Sequence, residues 1–113
     1  MPQLESLYVV EFGDVAGRAY RNGGVAVLET NRVFGGDSGY YYVGTYSVSG
    51  KNITAAVKIV KHNPGWQDAF GTTAQSFAVN MKSTINDNGV IQGHMERGGT
   101  LLPVRLTWKE NLP

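Results

Sequence analysis

Residues 53–59 read ITAAVKI, and this short stretch decides the fold class. Its side chains alternate with a period of two, which is the spacing of a β-strand and not of a helix. One face carries Ile53, Ala55, Val57 and Ile59, and the other carries Thr54, Ala56 and Lys58. The stretch therefore predicts a half-buried strand with one side against a core.

The same period returns downstream, at 77–85 and at 104–109. Shorter strands are predicted at 7–12, 24–29, 32–35, 41–48 and 90–97. Turn signals rich in Gly, Asn and Asp separate these segments, so the chain should hold about eight strands. Because proline has no N–H for a ladder, we expect the last strand to be bulged at Pro103 or to begin regular pairing just after it. Residues 66–74 are predicted to form a single helical turn over a barrel mouth.

Consecutive strands with short connections predict an antiparallel meander. Closing such a meander on itself removes its two free edges, which would otherwise invite aggregation. The predicted fold is therefore all-β, an eight-stranded antiparallel up-and-down barrel formed as one domain by residues 1–113. A two-sheet sandwich is the alternative.

Composition excludes several classes of protein. The 113-residue chain has no cysteine, which excludes disulfides and thiolate chemistry. Its net charge of +1 provides no broad field for binding nucleic acid or an anionic membrane. No stretch approaches the ~20 apolar residues of a membrane helix. Residues 1–12 lack the pattern of a signal peptide, so we expect a cytoplasmic location.

No catalytic or metal site is predicted. Residues 36–39 read GDSG, the tetrapeptide around the serine of trypsin-like proteases, but one small domain cannot supply that two-barrel scaffold. We interpret the tetrapeptide as a glycine-rich turn capped by the side chain of Asp37. His62 and His94 are far apart in sequence and lack the spacing of metal ligands. We therefore expect no enzymatic activity, no metal and no cofactor.

Large inward-facing side chains raise the question of a ligand cavity. A barrel of this size is either filled by its side chains or holds one small ligand. The sequence leaves both open, because small residues such as Ala26 and Gly44 alternate with the large ones. The residues predicted to line a cavity for a small apolar ligand are Tyr8, Tyr42, Phe77, Met81, Met95 and Trp108.

The outward face of the first strands is unusually apolar. Its apolar members are Leu7, Val9, Val25, Val27, Tyr41 and Val43. A patch of this kind exceeds what a monomer normally exposes and predicts a homodimer interface. The alternative is partial cover by the loop at 13–22.

Three stretches, SLYVVEF (6–12), VAVLETNRVFGGDS (25–38) and YYYVGTYSV (40–48), resemble in their order the GrlR-like family of bacterial proteins. The most specific part is the turn at 35–37, followed by aromatic residues and Gly44. The resemblance implies a lipocalin-like eight-stranded barrel that is dimeric, has an apolar interior and is not an enzyme. It also implies negative regulation of type III secretion genes by sequestering a transcriptional activator.

The hairpin that follows the third stretch departs from this family. There the family carries a short acidic run that contacts the activator, whereas residues 48–52 read VSGKN, with one base and no acid. The charge complementarity for a basic activator is therefore absent. We expect a non-enzymatic binding or regulatory module, acting in transcriptional regulation by sequestering a protein partner. The alternative is a carrier or sensor of a small apolar ligand.

Overall fold

The computed structural model of the chain describes residues 4–14, 22–72 and 74–113. The strands are β1 (Ser6–Phe12), β2 (Asn22–Glu29), β3 (Arg32–Gly36), β4 (Tyr40–Ser49), β5 (Asn52–Lys61), β6 (Ser76–Ile85), β7 (Val90–Arg97) and β8 (Thr100–Asn111). Each strand pairs antiparallel with the next, and β8 pairs with β1, so the sheet closes. The predicted eight-stranded antiparallel barrel is confirmed and is consistent with a lipocalin-like fold. The sandwich alternative is wrong.

Strand β5 shows how the alternating residues build the barrel wall. Ile53 and Ala55 are buried in the interior, whereas Thr54 and Ala56 are exposed on the outside. Across the ladder, Ala55 pairs with Met81 of β6, which is also buried. The period of two therefore separates a continuous apolar interior from a solvated exterior.

Pro103 lies inside β8. The expectation that regular pairing begins just after it is confirmed on the β1 side, where Val104 is the first residue in register, and is wrong on the β7 side. Pairing with β7 already begins at Thr100, and Pro103 stands opposite His94 in register. The Pro103 carbonyl accepts a hydrogen bond from the Gly13 N–H at 3.0 Å. Its nitrogen points to the same side, toward the end of β1, so the missing N–H removes no bond to β7.

The structure describes every residue of the segment 66–74 except residue 73. Among these described residues, the predicted helical turn is not formed. The Asp68 carboxylate instead accepts hydrogen bonds from the backbone N–H groups of Phe70, at 2.8 Å, and Thr72, at 3.2 Å. An aspartate that binds the following backbone in this way competes with helix formation. None of the described segments forms a helix long and apolar enough to cross a membrane.

One end of the barrel is closed by packed side chains. Tyr8 is 1% exposed and donates a hydrogen bond from its hydroxyl to the Leu4 carbonyl at 2.7 Å. Trp108 packs against the same core and donates from Nε1 to the Ser6 hydroxyl at 3.0 Å. These contacts tie Leu4, before β1, to Tyr8 within β1, and the first residue of β1 to β8, and the side chains fill the interior at this end.

Candidate functional site

The barrel encloses a cavity of about 290 Å³ that the described residues leave partly open at one end. All eight strands contribute to its wall, and the deep part is apolar, with residues such as Leu28, Val33 and Leu106. Most polar side chains of the lining lie at the open end, where the loop at 37–39 meets the loop at 62–75. Tyr46 also lines the cavity, but its hydroxyl lies near Asn31, in the turn between β2 and β3 at the opposite end. We call the open end the mouth; it is lined by Asp37, Ser38, Tyr40, Trp66, Asp68, Phe70 and Phe77.

Four of the six residues predicted to line a cavity do so, namely Tyr42, Phe77, Met81 and Met95. For Tyr8 and Trp108 the prediction is wrong, because these rings pack at the closed end and do not reach the cavity wall. The alternation along a strand distinguishes inward-facing from outward-facing side chains, but it does not show how far along the barrel axis a side chain lies. The interior is thus filled at one end and hollow toward the other.

Three aromatic rings pack together at the mouth. The Phe77 ring meets Tyr40 and Phe70 edge to face, with centroid separations of 6.3 Å and 5.9 Å. The Tyr40 hydroxyl donates to the Trp66 carbonyl at 3.2 Å, which ties the 62–75 loop to β4. Sequence reasoning missed Trp66 and Phe70 because both lie in a loop, where alternation gives no direction.

Arg97 fastens the same loop to β7. Its guanidinium carbon lies 4.0 Å from the centre of the Phe77 ring, and Nη1 lies 3.4 Å from the Asp68 carboxylate. The Asp68 side chain is only 3% exposed, and it also accepts a hydrogen bond from the Thr72 hydroxyl. A buried carboxylate requires such compensation. The guanidinium carbon also lies 5.6 Å from the ring centre of Phe70 in the loop, so the ion pair and this ring contact together hold the loop over the mouth.

Asp37 organises the other loop of the mouth. One carboxylate oxygen accepts hydrogen bonds from the N–H groups of Gly39, at 2.8 Å, and Tyr40, at 2.9 Å. The interpretation of GDSG as a turn capped by Asp37 is therefore confirmed. The second oxygen accepts from the Tyr42 hydroxyl. Burial raises the pKa of Tyr42 strongly, and the hydrogen bond to Asp37 and the charge of that carboxylate raise it further. Tyr42 consequently remains a neutral donor.

The six outward apolar residues form one continuous surface across β1 to β4. Val9 pairs with Val25, and Leu7 pairs with Val27. Phe34 joins them, because it stands between Val27 and Val43 in register. We call this surface the outer apolar face; its members are Leu7, Val9, Val25, Val27, Phe34, Tyr41 and Val43. The alternative prediction is that the loop at 13–22 partly covers this surface. It concerns mainly residues 15–21, which lie outside the described residues.

Neither histidine lies in a cluster of ligating side chains. His62 Nε2 lies 2.9 Å from the Asp37 carbonyl oxygen, and His94 is exposed on β7. Among residues 4–14, 22–72 and 74–113, no three side chains of the metal-binding types come together.

Comparison with protein-family models finds no match, and comparison with curated proteins finds none either. The resemblance to the GrlR-like family stays a prediction. The geometry of the cavity and of the outer apolar face therefore carries the functional assignment.

Proposed function

We propose that this chain is a non-enzymatic binding protein that holds one small apolar ligand inside its barrel. The observation that carries the proposal is the cavity, whose deep wall is largely apolar and whose polar side chains, apart from Tyr46, lie at the mouth. Ligand sites in proteins have this composition, with a few polar groups that orient an otherwise apolar molecule. The proposal includes the cytoplasmic location expected from the sequence.

The volume of the cavity sets the size of the ligand. An apolar cavity of about 150 Å³ takes up one benzene molecule. The present cavity, at about 290 Å³, is roughly twice that size. It therefore has room for about twelve carbon atoms, as in a medium-length alkyl chain or two fused rings.

The polar groups of the mouth support binding rather than catalysis. Asp37 and Asp68 each accept hydrogen bonds from two backbone N–H groups and one side-chain hydroxyl. These bonds give both carboxylates a structural role, which is to shape the two loops. A catalytic acid or base would instead be directed at a reacting group.

Native mass spectrometry of the protein as purified tests this function. We expect a fraction of the molecules to carry an added apolar mass of about twelve carbon atoms or fewer. After removal of this ligand, 1-decanol should bind with a stoichiometry of one per chain. A preparation that carries no ligand and binds no decanol would contradict the proposal.

Protein binding through the outer apolar face is the second candidate function, and we assign a second copy of this chain as the occupant. Val25 is 48% exposed, and Phe34, Tyr41 and Val43 are exposed as well. Two charged pairs border the face, Glu11 with Arg105 at 3.0 Å and Glu29 with Arg32 at 3.8 Å. Because each pair is internally neutral, the face does not select a charged partner. An uncharged, self-complementary patch is typical of two-fold dimers.

The mass in solution tests the second candidate. Light scattering at micromolar concentration should give twice the chain mass of 12.3 kDa. A monomeric mass would contradict the homodimer, and the face would then be open to a different protein, such as the transcriptional activator that the resemblance implies. In that event the regulatory role would require an activator without a basic recognition surface.

A further inference from the structure

The two carboxylates of the mouth differ in their charge balance. The Asp68 carboxylate is paired with Arg97 at 3.4 Å, whereas no ion pair within the described ranges involves Asp37. Asp37 is half-buried, and its three hydrogen-bond donors, Gly39, Tyr40 and Tyr42, are all neutral. The mouth thus carries one negative charge that these contacts do not neutralise.

No lysine, arginine or histidine is among the described residues that line the cavity. Arg97 is close to the mouth, but its guanidinium is occupied by Asp68 and by the face of Phe77. Two more basic residues lie near this end: Lys61, with Nζ 5.9 Å from the centre of the Tyr40 ring, and His62, with Nε2 2.9 Å from the Asp37 carbonyl oxygen. Neither lines the cavity, so among the described residues no cation separates the polar end of a bound ligand from the Asp37 carboxylate. Charged groups that are removed from water require a partner of opposite sign.

We propose that the cavity prefers an apolar amine, with the ammonium group at the mouth beside Asp37, and discriminates against the carboxylate of the same length. This inference rests on the proposed function, because it needs a ligand in the barrel. The apolar tail would lie against Leu28, Val33 and Leu106 in the deep part. The ammonium group would gain the carboxylate of Asp37 and the aromatic rings of the mouth as partners.

Three ligands that have the same chain length and differ in the charge of the headgroup separate the effect of charge on binding from the effect of hydrophobicity. Isothermal titration at neutral pH, below the micelle concentration, would compare decylamine, 1-decanol and decanoate. We expect decylamine to bind about tenfold or more tightly than decanoate, since the amine attracts and the carboxylate repels the charge of Asp37 at short range. Decanol should fall between the two.

Variants locate the charge that is responsible. Asp37→Asn retains an oxygen for the two backbone N–H groups and removes the charge, so the preference for the amine should shrink to about threefold or less. Asp87→Asn makes the same change of net charge in the turn beyond β6, where Asp87 is exposed and paired with Lys51. It should retain the wild-type preference. Ser38→Lys adds a positive charge at an exposed position of the mouth beside Asp37, so it should also reduce the preference for the amine over decanoate.

If Asp37→Asn melts at a much lower temperature than the wild type, Ser38→Lys provides the test of the charge preference in its place. Equal binding of decylamine and decanoate by a wild type that binds decanol would overturn the charge preference and leave the proposed function intact. Failure of all three ligands to bind would overturn both. Loss of the preference in Asp87→Asn would show that net charge, and not Asp37, is the cause.

Discussion

The guanidinium of Arg97 lies over the ring of Phe77, with its central carbon 4.0 Å from the ring centre. Both residues belong to the barrel wall, on β7 and β6, and the guanidinium reaches from there to Asp68 in the 62–75 loop. This one side chain thereby joins the apolar cluster of the mouth to the loop that borders it. In the loop, the guanidinium contacts the Asp68 carboxylate and lies 5.6 Å from the ring centre of Phe70.

Arg97→Ala should destabilise the protein by about 2 to 3 kcal/mol, because it leaves the Asp68 carboxylate buried without its cation. Urea unfolding measures the change in the free energy of unfolding. Lys51→Ala is the matched control, since it breaks an ion pair with Asp87 whose side chains are 72% and 85% exposed. That control should cost about 0.5 kcal/mol or less. A loss below about 1 kcal/mol for Arg97→Ala would show that the loop does not depend on this pair.

Trp108→Ala should cost about 3 to 5 kcal/mol, because it removes a large ring from the closed end together with the hydrogen bond that its indole N–H donates to the Ser6 hydroxyl. Ser6 is 0% exposed in the wild type, so the ring and its hydrogen bond belong to the closed end of the barrel. Trp66→Ala removes the same ring type from a position that is 48% exposed and should cost about 1 kcal/mol or less. Equal losses for the two variants, measured by thermal or urea unfolding, would contradict the assignment of Trp108 to the core.

Alkaline pH should destabilise the protein through its buried tyrosines. Burial raises the pKa of Tyr8 to about 12, and interaction with Tyr46 adds to this rise. A raised pKa means that the folded state favours the protonated phenol. Protonated Tyr8 therefore contributes about 2 to 3 kcal/mol to the free energy of unfolding. This contribution is fully present below the pKa of tyrosine in the unfolded chain, near pH 10, and is lost as the pH rises toward about 12.

Tyr8→Phe isolates this contribution, since phenylalanine keeps the ring and has no proton to lose. The stability difference between wild type and Tyr8→Phe, measured by urea unfolding, should stay constant up to about pH 10 and shrink above it. Parallel stability curves over the whole alkaline range would contradict the buried, protonated state of Tyr8.

Val25→Lys should convert the proposed homodimer to a monomer, because it places a charge in the outer apolar face. Val48→Lys is the matched control, since Val48 is 45% exposed near the end of β4, outside that face. The control should remain dimeric, and both variants should unfold within about 1 kcal/mol of the monomer stability of the wild type. Sedimentation equilibrium gives the masses. An unchanged dimer in Val25→Lys would place the interface elsewhere.

The barrel could be predicted from the sequence because alternation along each strand reports directly on which side is buried. The stretches around Ile53 and Val79 carry that pattern, and closure follows from the cost of free strand edges. The outer apolar face could be predicted for the same reason, because its apolar side chains occupy the strand positions that alternate with the inward-facing ones. Phe34 has this parity too and was overlooked in a short strand.

The mouth could not be predicted to the same extent. Asp68 and Phe70 lie in a loop whose shape depends on hydrogen bonds between side chains and backbone, and such bonds have no periodic signature. Tyr8 and Trp108 were assigned to the cavity because parity does not distinguish a filled end from a hollow one. That distinction depends on the stagger of the strands around the barrel, which alternation within single strands does not encode.

The hollow interior as a ligand site is the central claim, and two neighbouring alanines test it most directly. Ala55 is buried and lines the cavity, whereas Ala56 is exposed on the outside of the same strand. Titration of 1-decanol should show that Ala55→Leu, which fills part of the cavity, weakens binding about tenfold or more, and that Ala56→Leu leaves it within about twofold of the wild type. Equal affinity of the Ala55→Leu variant and the wild type would contradict binding inside the barrel.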